Sequence, residues 1–187
     1  MIERFRRTGA LLEGHFVLTS GLHSTHYLQC ALVLQHPAEA EAFGRAIAER
    51  FRDERVETVA APAIGGIVIG HEVARALNAR FIWTEREAGQ MTLRRGFSVR
   101  AGEAVLVVED VVTTGGSTRE TMQVATAAGG RVVGAASIVD RSNGSVRLDV
   151  PYASLLQIDV ASYEPDKCPL CAQGLPVVKP GSRPVAT

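Results

Sequence analysis

Residues 105–118, VLVVEDVVTTGGST, set two kinds of chemistry side by side. Glu109 and Asp110 are adjacent carboxylates, able to accept hydrogen bonds from two vicinal hydroxyls. Thr113, Thr114, Gly115, Gly116 and Ser117 follow, small residues whose backbone N–H groups can wrap an anion. Ser117 and Glu120 have the spacing of a capping box, so a helix is expected from Ser117 with its positive end aimed at the same anion. Together the acid pair and the anion cradle suit a phosphorylated sugar. The plain alternative is a pair of turn residues and a tight strand-to-helix connection. The segment is neither a P-loop, lacking the lysine of GxxxxGK[ST], nor a dinucleotide fingerprint, lacking GxGxxG.

Three further stretches carry polar groups where strands should end. APAIGGIVIG, residues 61–70, places a proline and two glycines before a helix, so Ala63, Ile64, Gly65 and Gly66 can expose backbone N–H groups to a second anion or serve as an ordinary turn. EREAGQMTLRRG, residues 85–96, is a long polar connection in which Arg86, Arg94 and Arg95 could neutralise a departing anion as a lid, or sit on a solvated hairpin. IVDRSNG, residues 138–144, ends a strand with an acid and Arg141, a side chain able to grip a carboxylate or a uracil-like edge with two parallel hydrogen bonds. Cys168 and Cys171 have metal-ligand or redox spacing. One CxxC is half a zinc site at most. Cys30, a histidine or a second subunit could complete it, and two reduced thiols in a tail turn are the plain reading.

The elements that must position these groups alternate. Helices are expected over residues 2–12, 37–52, 67–77 and 117–128, with Phe43, Ile47 and Phe51 forming a core stripe. Strands are expected over residues 56–61, 80–84, 105–108 and 132–139, the central ones apolar enough to be buried on both faces. This order predicts an α/β protein, a mostly parallel twisted sheet with helices on both faces, whose ligands bind beyond the carboxyl ends of the strands. At 187 residues the chain is expected to form one domain with appendages: residues 1–36 as an N-terminal hood segment, 37–165 as the core and 166–187 as a tail, linker-like from Val177.

Formal net charge is zero, with 20 Lys and Arg against 20 Asp and Glu, so a nucleic-acid partner is disfavoured. Lys167 and Lys179 are the only lysines. No stretch reaches the ~20 apolar residues of a membrane span, and the N-terminus lacks a continuous apolar core behind its basic residues. A soluble cytoplasmic protein with no membrane partner is expected.

The segment 105–118 resembles the phosphoribosyl pyrophosphate signature of the type I phosphoribosyltransferases. That resemblance implies that Glu109 and Asp110 face the ribose hydroxyls, that Thr113, Thr114, Gly115, Gly116 and Ser117 hold the 5′-phosphate, and that Ala63, Ile64, Gly65 and Gly66 cradle the pyrophosphate. It also implies a mobile loop at residues 85–96, often shared with the neighbouring subunit, with Arg86, Arg94 and Arg95 as catalytic cations beside Asp110. HFVLTSGLHSTHYLQC, residues 15–30, is similar to the FxLxSGxxS segment of the orotate phosphoribosyltransferases, matching at Phe16, Leu18, Ser20, Gly21 and Ser24. Thr19 and His26 depart from it, standing where lysine and tyrosine are usual. The closing CPLCAQGLPVVKPGS resembles the C-terminal segment of a bacterial subset of that family, carrying the likeness from Phe16 to Ser182.

By this resemblance orotate would meet Ser20, Gly21, Tyr27, Thr113 and Arg141. The expected reaction converts orotate and phosphoribosyl pyrophosphate into orotidine 5′-monophosphate and pyrophosphate, in pyrimidine (UMP) biosynthesis. Mg²⁺ would be held mainly by substrate oxygens and water, with no direct protein ligand, and the protein would be a homodimer. Rival readings are a transferase for a purine base or uracil, and a non-catalytic regulator that senses phosphoribosyl pyrophosphate.

Overall fold

Parallel strands buried on both faces need continuous apolar runs, and this computed structural model places three such runs at its centre. It describes residues 1–18, 21–158 and 161–180. In chain order the elements are α1 (Ile2–Arg7), β1 (Leu11–Val17), β2 (His23–Leu28), α2 (Cys30–Leu34), α3 (Pro37–Arg50), β3 (Thr58–Pro62), α4 (Gly66–Leu77), β4 (Arg80–Glu87), β5 (Gln90–Leu93), β6 (Ala104–Val112), α5 (Gly116–Ala127), β7 (Arg131–Asp140), β8 (Tyr152–Gln157), β9 (Ser162–Tyr163) and α6 (Pro169–Ala172).

The chain divides into two units, one of residues 34–158 and one of residues 1–33 with 159–187. The larger unit is built on a six-stranded sheet in the order β5-β4-β3-β6-β7-β8. All its neighbouring pairs are parallel except β4 with β5. Helices α3 and α4 pack against each other and the sheet, and α5 reaches β3, β5, β6 and β7. Val59, Val105, Leu106, Val107, Ile138 and Val139 are fully buried; each such side chain contributes ~1.5–3 kcal/mol relative to exposure. The α/β architecture with a mostly parallel sheet is therefore as the alternation of strand and helix patterns implies.

The smaller unit holds a three-stranded antiparallel sheet in the order β1-β2-β9. Both lysines, Lys167 and Lys179, belong to it. Among the described residues no helix is long and apolar enough to cross a membrane.

Several boundaries differ from expectation for local reasons. The first helix stops at Arg7 because Gly9 adopts φ 67°, and Leu11 and Leu12 instead begin β1. Residues 85–96 are not an irregular loop. β4 runs to Glu87, turns at Ala88 and Gly89 (φ 49° and 84°) and returns as β5, two successive positive φ values being the hairpin turn that matches strand twist. β8 follows no marked sequence signal, yet pairs in parallel with β7 from Ala135↔Tyr152 to Asp140↔Gln157.

Candidate active site

The sheet order reverses direction between β3 and β6. From β3 the chain passes through α4 to β4 on one side, and from β6 through α5 to β7 on the other. In open α/β sheets such a switch point leaves a crevice at the carboxyl ends of the two strands. The loops after β3 and β6 are residues 63–65 and 113–115.

β6 is longer than its apolar run and carries Glu109 and Asp110 as strand residues, Glu109 opposite Ser137 of β7. Glu109 is buried and Asp110 half-buried. Burial, then the adjacent Asp110 carboxylate, push Glu109 up to about 9. Asp110 is raised as well, chiefly by burial, while its Oδ1 accepts the Val111 backbone N–H at 2.8 Å. Two carboxyls in this setting hold a proton at neutral pH and favour a ligand that brings hydroxyl donors or positive charge.

Gly65 approaches the pair closely: a Cβ placed on it would lie 2.8 Å from both Asp110 carboxylate oxygens. Ala63 N–H donates to the Thr84 carbonyl at 2.8 Å, tying the loop to β4, and the Ala63–Ile64 peptide is cis. Ile64 is exposed. Helix α4 starts at Gly66, so its first-turn N–H groups, which have no intrahelical partner, face the end of the sheet where the acid pair sits.

The loop after β6 enters α5 through Gly115, whose φ of 74° lies in the left-handed region that favours glycine. Thr113, Thr114 and Gly116 are exposed. The expected capping box does not form. The helix begins at Gly116, one residue before Ser117, and no side chain caps it. Glu120 is engaged instead by Arg86, whose Nη2 donates to Glu120 Oε2, while Arg86 Nη1 donates to the Gly89 carbonyl at 2.8 Å. Thr84 Oγ1 and Thr121 Oγ1 lie 2.9 Å apart. These contacts hold β4 against α5 behind the anion loop.

Arg94 and Arg95 are paired within the hairpin. Arg95 donates from Nε and Nη2 to the two Glu85 oxygens at 2.7 and 3.1 Å. That bidentate bond, with Trp83 Nε1 and Arg94 adding to it, holds the Glu85 carboxyl at about 2. Arg94 Nη2 lies 3.3 Å from Glu87. Arg141 follows β7, and its backbone N–H donates to the Val112 carbonyl at 2.8 Å, which places it beside the end of β6. Asp140 Oδ1 accepts from Ser142 N–H at 2.7 Å.

The larger unit thus brings residues 63–66, 109–110, 113–117 and 141 to the carboxyl ends of β3, β6 and β7, with Arg86 tied to α5. Arg94 and Arg95 follow the hairpin's return strand, which ends at Leu93. In the smaller unit, Gly21 closes the β1–β2 turn by donating to the Leu18 carbonyl at 2.9 Å, and Tyr27 packs on Phe16 with centroids 5.9 Å apart. Thr19 and Ser20 lie outside the described residues, as does Ser182. Sequence reasoning left Tyr152 unmarked. Its hydroxyl lies 2.7 Å from Ser137 Oγ, and burial, with the charges of Asp140 and Glu109 adding to it, raises it to about 12.

Comparison with known proteins places this arrangement. A family model described as "Phosphoribosyl transferase domain" matches residues 31–166. The orotate phosphoribosyltransferase of Pelotomaculum thermopropionicum is 57% identical over 181 residues, covering 97% of this chain and 95% of the relative. That of Caldicellulosiruptor saccharolyticus is 53% identical, covering 98% and 96%. Among solved structures, orotate phosphoribosyltransferase from Aeropyrum pernix superposes with a TM-score of 0.68 at 24% identity, covering 83% of this chain and 92% of the other. Adenine phosphoribosyltransferase from Rhodothermus marinus gives 0.66 at 21%, covering 84% and 100%, so the fold alone does not select the base.

Proposed function

The chain belongs to the orotate phosphoribosyltransferases, and we propose that its larger unit carries out the transfer through the loops gathered at the ends of β3, β6 and β7. The reaction exchanges the pyrophosphate on C1 of phosphoribosyl pyrophosphate for a ring nitrogen of orotate, giving orotidine 5′-monophosphate and pyrophosphate in UMP synthesis. Near-full-length identity to the orotate enzymes supports the base. The contact between Gly65 and Asp110 supports the sugar diphosphate, since it sets a backbone anion loop against a hydroxyl-accepting carboxylate.

In this reading no side chain attacks the sugar. Breaking the C1–O bond builds positive charge on the ribose ring and negative charge on the leaving group, so the protein's work is positioning and charge stabilisation. Glu109 and Asp110 accept hydrogen bonds from the ribose hydroxyls and fix the ring. Residues 113–117 hold the 5′-phosphate on the α5 N-terminus, and residues 64–66 receive the pyrophosphate on backbone N–H groups, while Ala63, whose N–H is taken by the Thr84 carbonyl, anchors that loop to β4. Arg86, Arg94 and Arg95 compensate the leaving charge and keep water out. Arg141 offers a paired donor edge to the orotate carboxylate or carbonyl. Ser20, Gly21 and Tyr27 remain assignments to the base drawn from the sequence resemblance.

The crowded acid pair, with Glu109 raised by burial and the Asp110 charge and Asp110 raised by burial, also suits a divalent cation, and oxygen-rich substrates with water are the ligands Mg²⁺ prefers. When bound, Mg²⁺ would neutralise pyrophosphate charge, with Glu109 and Asp110 accepting hydrogen bonds from its hydrated shell. A cytoplasmic homodimer that shares the β4–β5 hairpin belongs to the same proposal.

The test is an absorbance assay following orotate with phosphoribosyl pyrophosphate and Mg²⁺, beside adenine, hypoxanthine and uracil as acceptors. Consumption of orotate alone is expected. Equal or greater turnover with another base would reject the assignment.

A further inference from the structure

Four side chains of the smaller unit aim their ligand atoms at one another. His15 Nε2, His23 Nδ1, Cys168 Sγ and Cys171 Sγ all lie within 4.8 Å of one another. His15 Nε2 is 3.5 Å from Cys168 Sγ and 3.7 Å from Cys171 Sγ, and Cys171 Sγ is 3.2 Å from His23 Nδ1. A tetrahedral zinc centre with ordinary Zn–N and Zn–S bonds has nitrogen–sulfur edges of about 3.5 Å. The two ring nitrogens are 2.9 Å apart, and a small ring rotation opens them to the nitrogen–nitrogen edge of about 3.3 Å. Three of the four residues are buried.

We propose that His15, His23, Cys168 and Cys171 form a structural Zn²⁺ site that fastens residues 162–178 to the β1–β2 hairpin. Two thiolates with two imidazoles select a borderline-soft ion such as zinc over Mg²⁺ or Ca²⁺. Four protein ligands leave no open position, which is the arrangement of a structural rather than a catalytic centre.

The surroundings are built for it. His15 Nδ1 sits 2.8 Å from the Leu175 carbonyl; a carbonyl can only accept, so Nδ1 carries the proton and Nε2 turns its lone pair toward the thiols, the usual outer hydrogen bond of a metal-bound histidine. The backbone brackets the cluster on both sides. β9 pairs with β2 at His23 and Ser24, and Val178 pairs with β1, its N–H donating to His15 O and its carbonyl accepting from Val17 N–H. Between these anchors the chain passes through Cys168, α6 and Cys171, then turns at Gly174 (φ 70°), which brings Leu175 onto His15. As an attacking thiolate, which must be accessible, Cys168 is unsuited at 3% exposed; Cys171 is exposed, but its Sγ lies 3.2 Å from His23 Nδ1.

The full chain, purified under reducing conditions and washed with EDTA, is expected to retain about one zinc ion by elemental analysis. The C168S/C171S and H23A variants should fall below about a tenth of that. Co²⁺ exchanged into the wild-type chain should give the intense visible bands of tetrahedral cobalt and a thiolate charge-transfer band, both lost in C168S/C171S. If a variant does not fold, the wild-type metal content and cobalt spectrum decide alone. A wild-type chain without stoichiometric zinc, a weak octahedral cobalt spectrum, or a Cys168–Cys171 disulfide in the native protein would overturn the proposal.

Discussion

Gly65 lies against Asp110 so closely that a methyl group on the glycine would meet both carboxylate oxygens at 2.8 Å. Residues 45 positions apart in the chain thereby share one wall of the crevice. In G65A either the carboxylate or the loop must move. Phosphoribosyl pyrophosphate affinity should fall by about tenfold or more, each tenfold being ~1.4 kcal/mol, and D110A should weaken the same ligand. Calorimetric titration checks both; wild-type affinity in G65A would show that the loop is not part of the donor site.

Arg94 and Arg95 are held by Glu87 and Glu85, so their cations are available to a lid only if the hairpin exchanges these partners for substrate. R94A and R95A should each lower turnover by about a hundred- to a thousandfold, the usual loss for one preorganised charge-stabilising donor. KM for orotate should change little. Steady-state kinetics in which both variants match the wild type would exclude the lid role.

Glu109 predicts an unusual pH response. Its folded-state value of about 9 lies above the ordinary 4.5, so the folded chain binds the proton more tightly than the unfolded one. Stability is greatest below the ordinary value and declines as pH rises toward about 9. E109Q mimics the protonated form and should escape the decline. Its melting temperature should exceed that of the wild type by about 4 °C or more near pH 8 and equal it near pH 4. Parallel melting curves at both pH values would refute the shift.

Glu103 predicts the opposite slope. Burial alone would raise it, but hydrogen bonds from Thr58 Oγ1, the Arg100 N–H and Arg80 outweigh burial and hold it at about 2. Its contribution is complete above the ordinary 4.5 and fades as pH falls toward about 2. E103Q should therefore cost ~2 kcal/mol near neutral pH, as expected for weakening hydrogen bonds to a charged acceptor, and the gap should narrow on acidification. Urea unfolding at several pH values measures it.

The parts of the molecule legible in the sequence are those where one physical pattern dominates. Val105–Val108 and the stretch through Ile138 are apolar runs buried on both faces, and Phe43, Ile47 and Phe51 mark a helix face. The acid pair and the two glycine turns stand out because their chemistry is local. What was hidden depends on partners distant in the chain. Ser117 and Glu120 have the spacing of a cap, yet Arg86 of β4 captures the glutamate. A hairpin is one of two readings of residues 85–96, and the sequence does not place its turn, because Ala88 takes a positive φ that its identity does not announce. His15 and His23 carry no motif of their own; only the return of the C-terminal segment sets Cys168 and Cys171 beside them.

The placement of Lys167 and Lys179, both in the smaller unit with the Met1 amine, leaves the larger unit without a primary amine. Reagents that seek such groups, whether crosslinkers, acetyl donors or immobilising esters, have no lysine to attack in the larger unit. Its fixed cations are guanidinium groups, which do not lose their proton under any ordinary buffer. Alkaline titration would therefore leave the charge of these guanidinium groups intact, and a high-pH loss of turnover that originates in the larger unit would trace to its acids or to Tyr152.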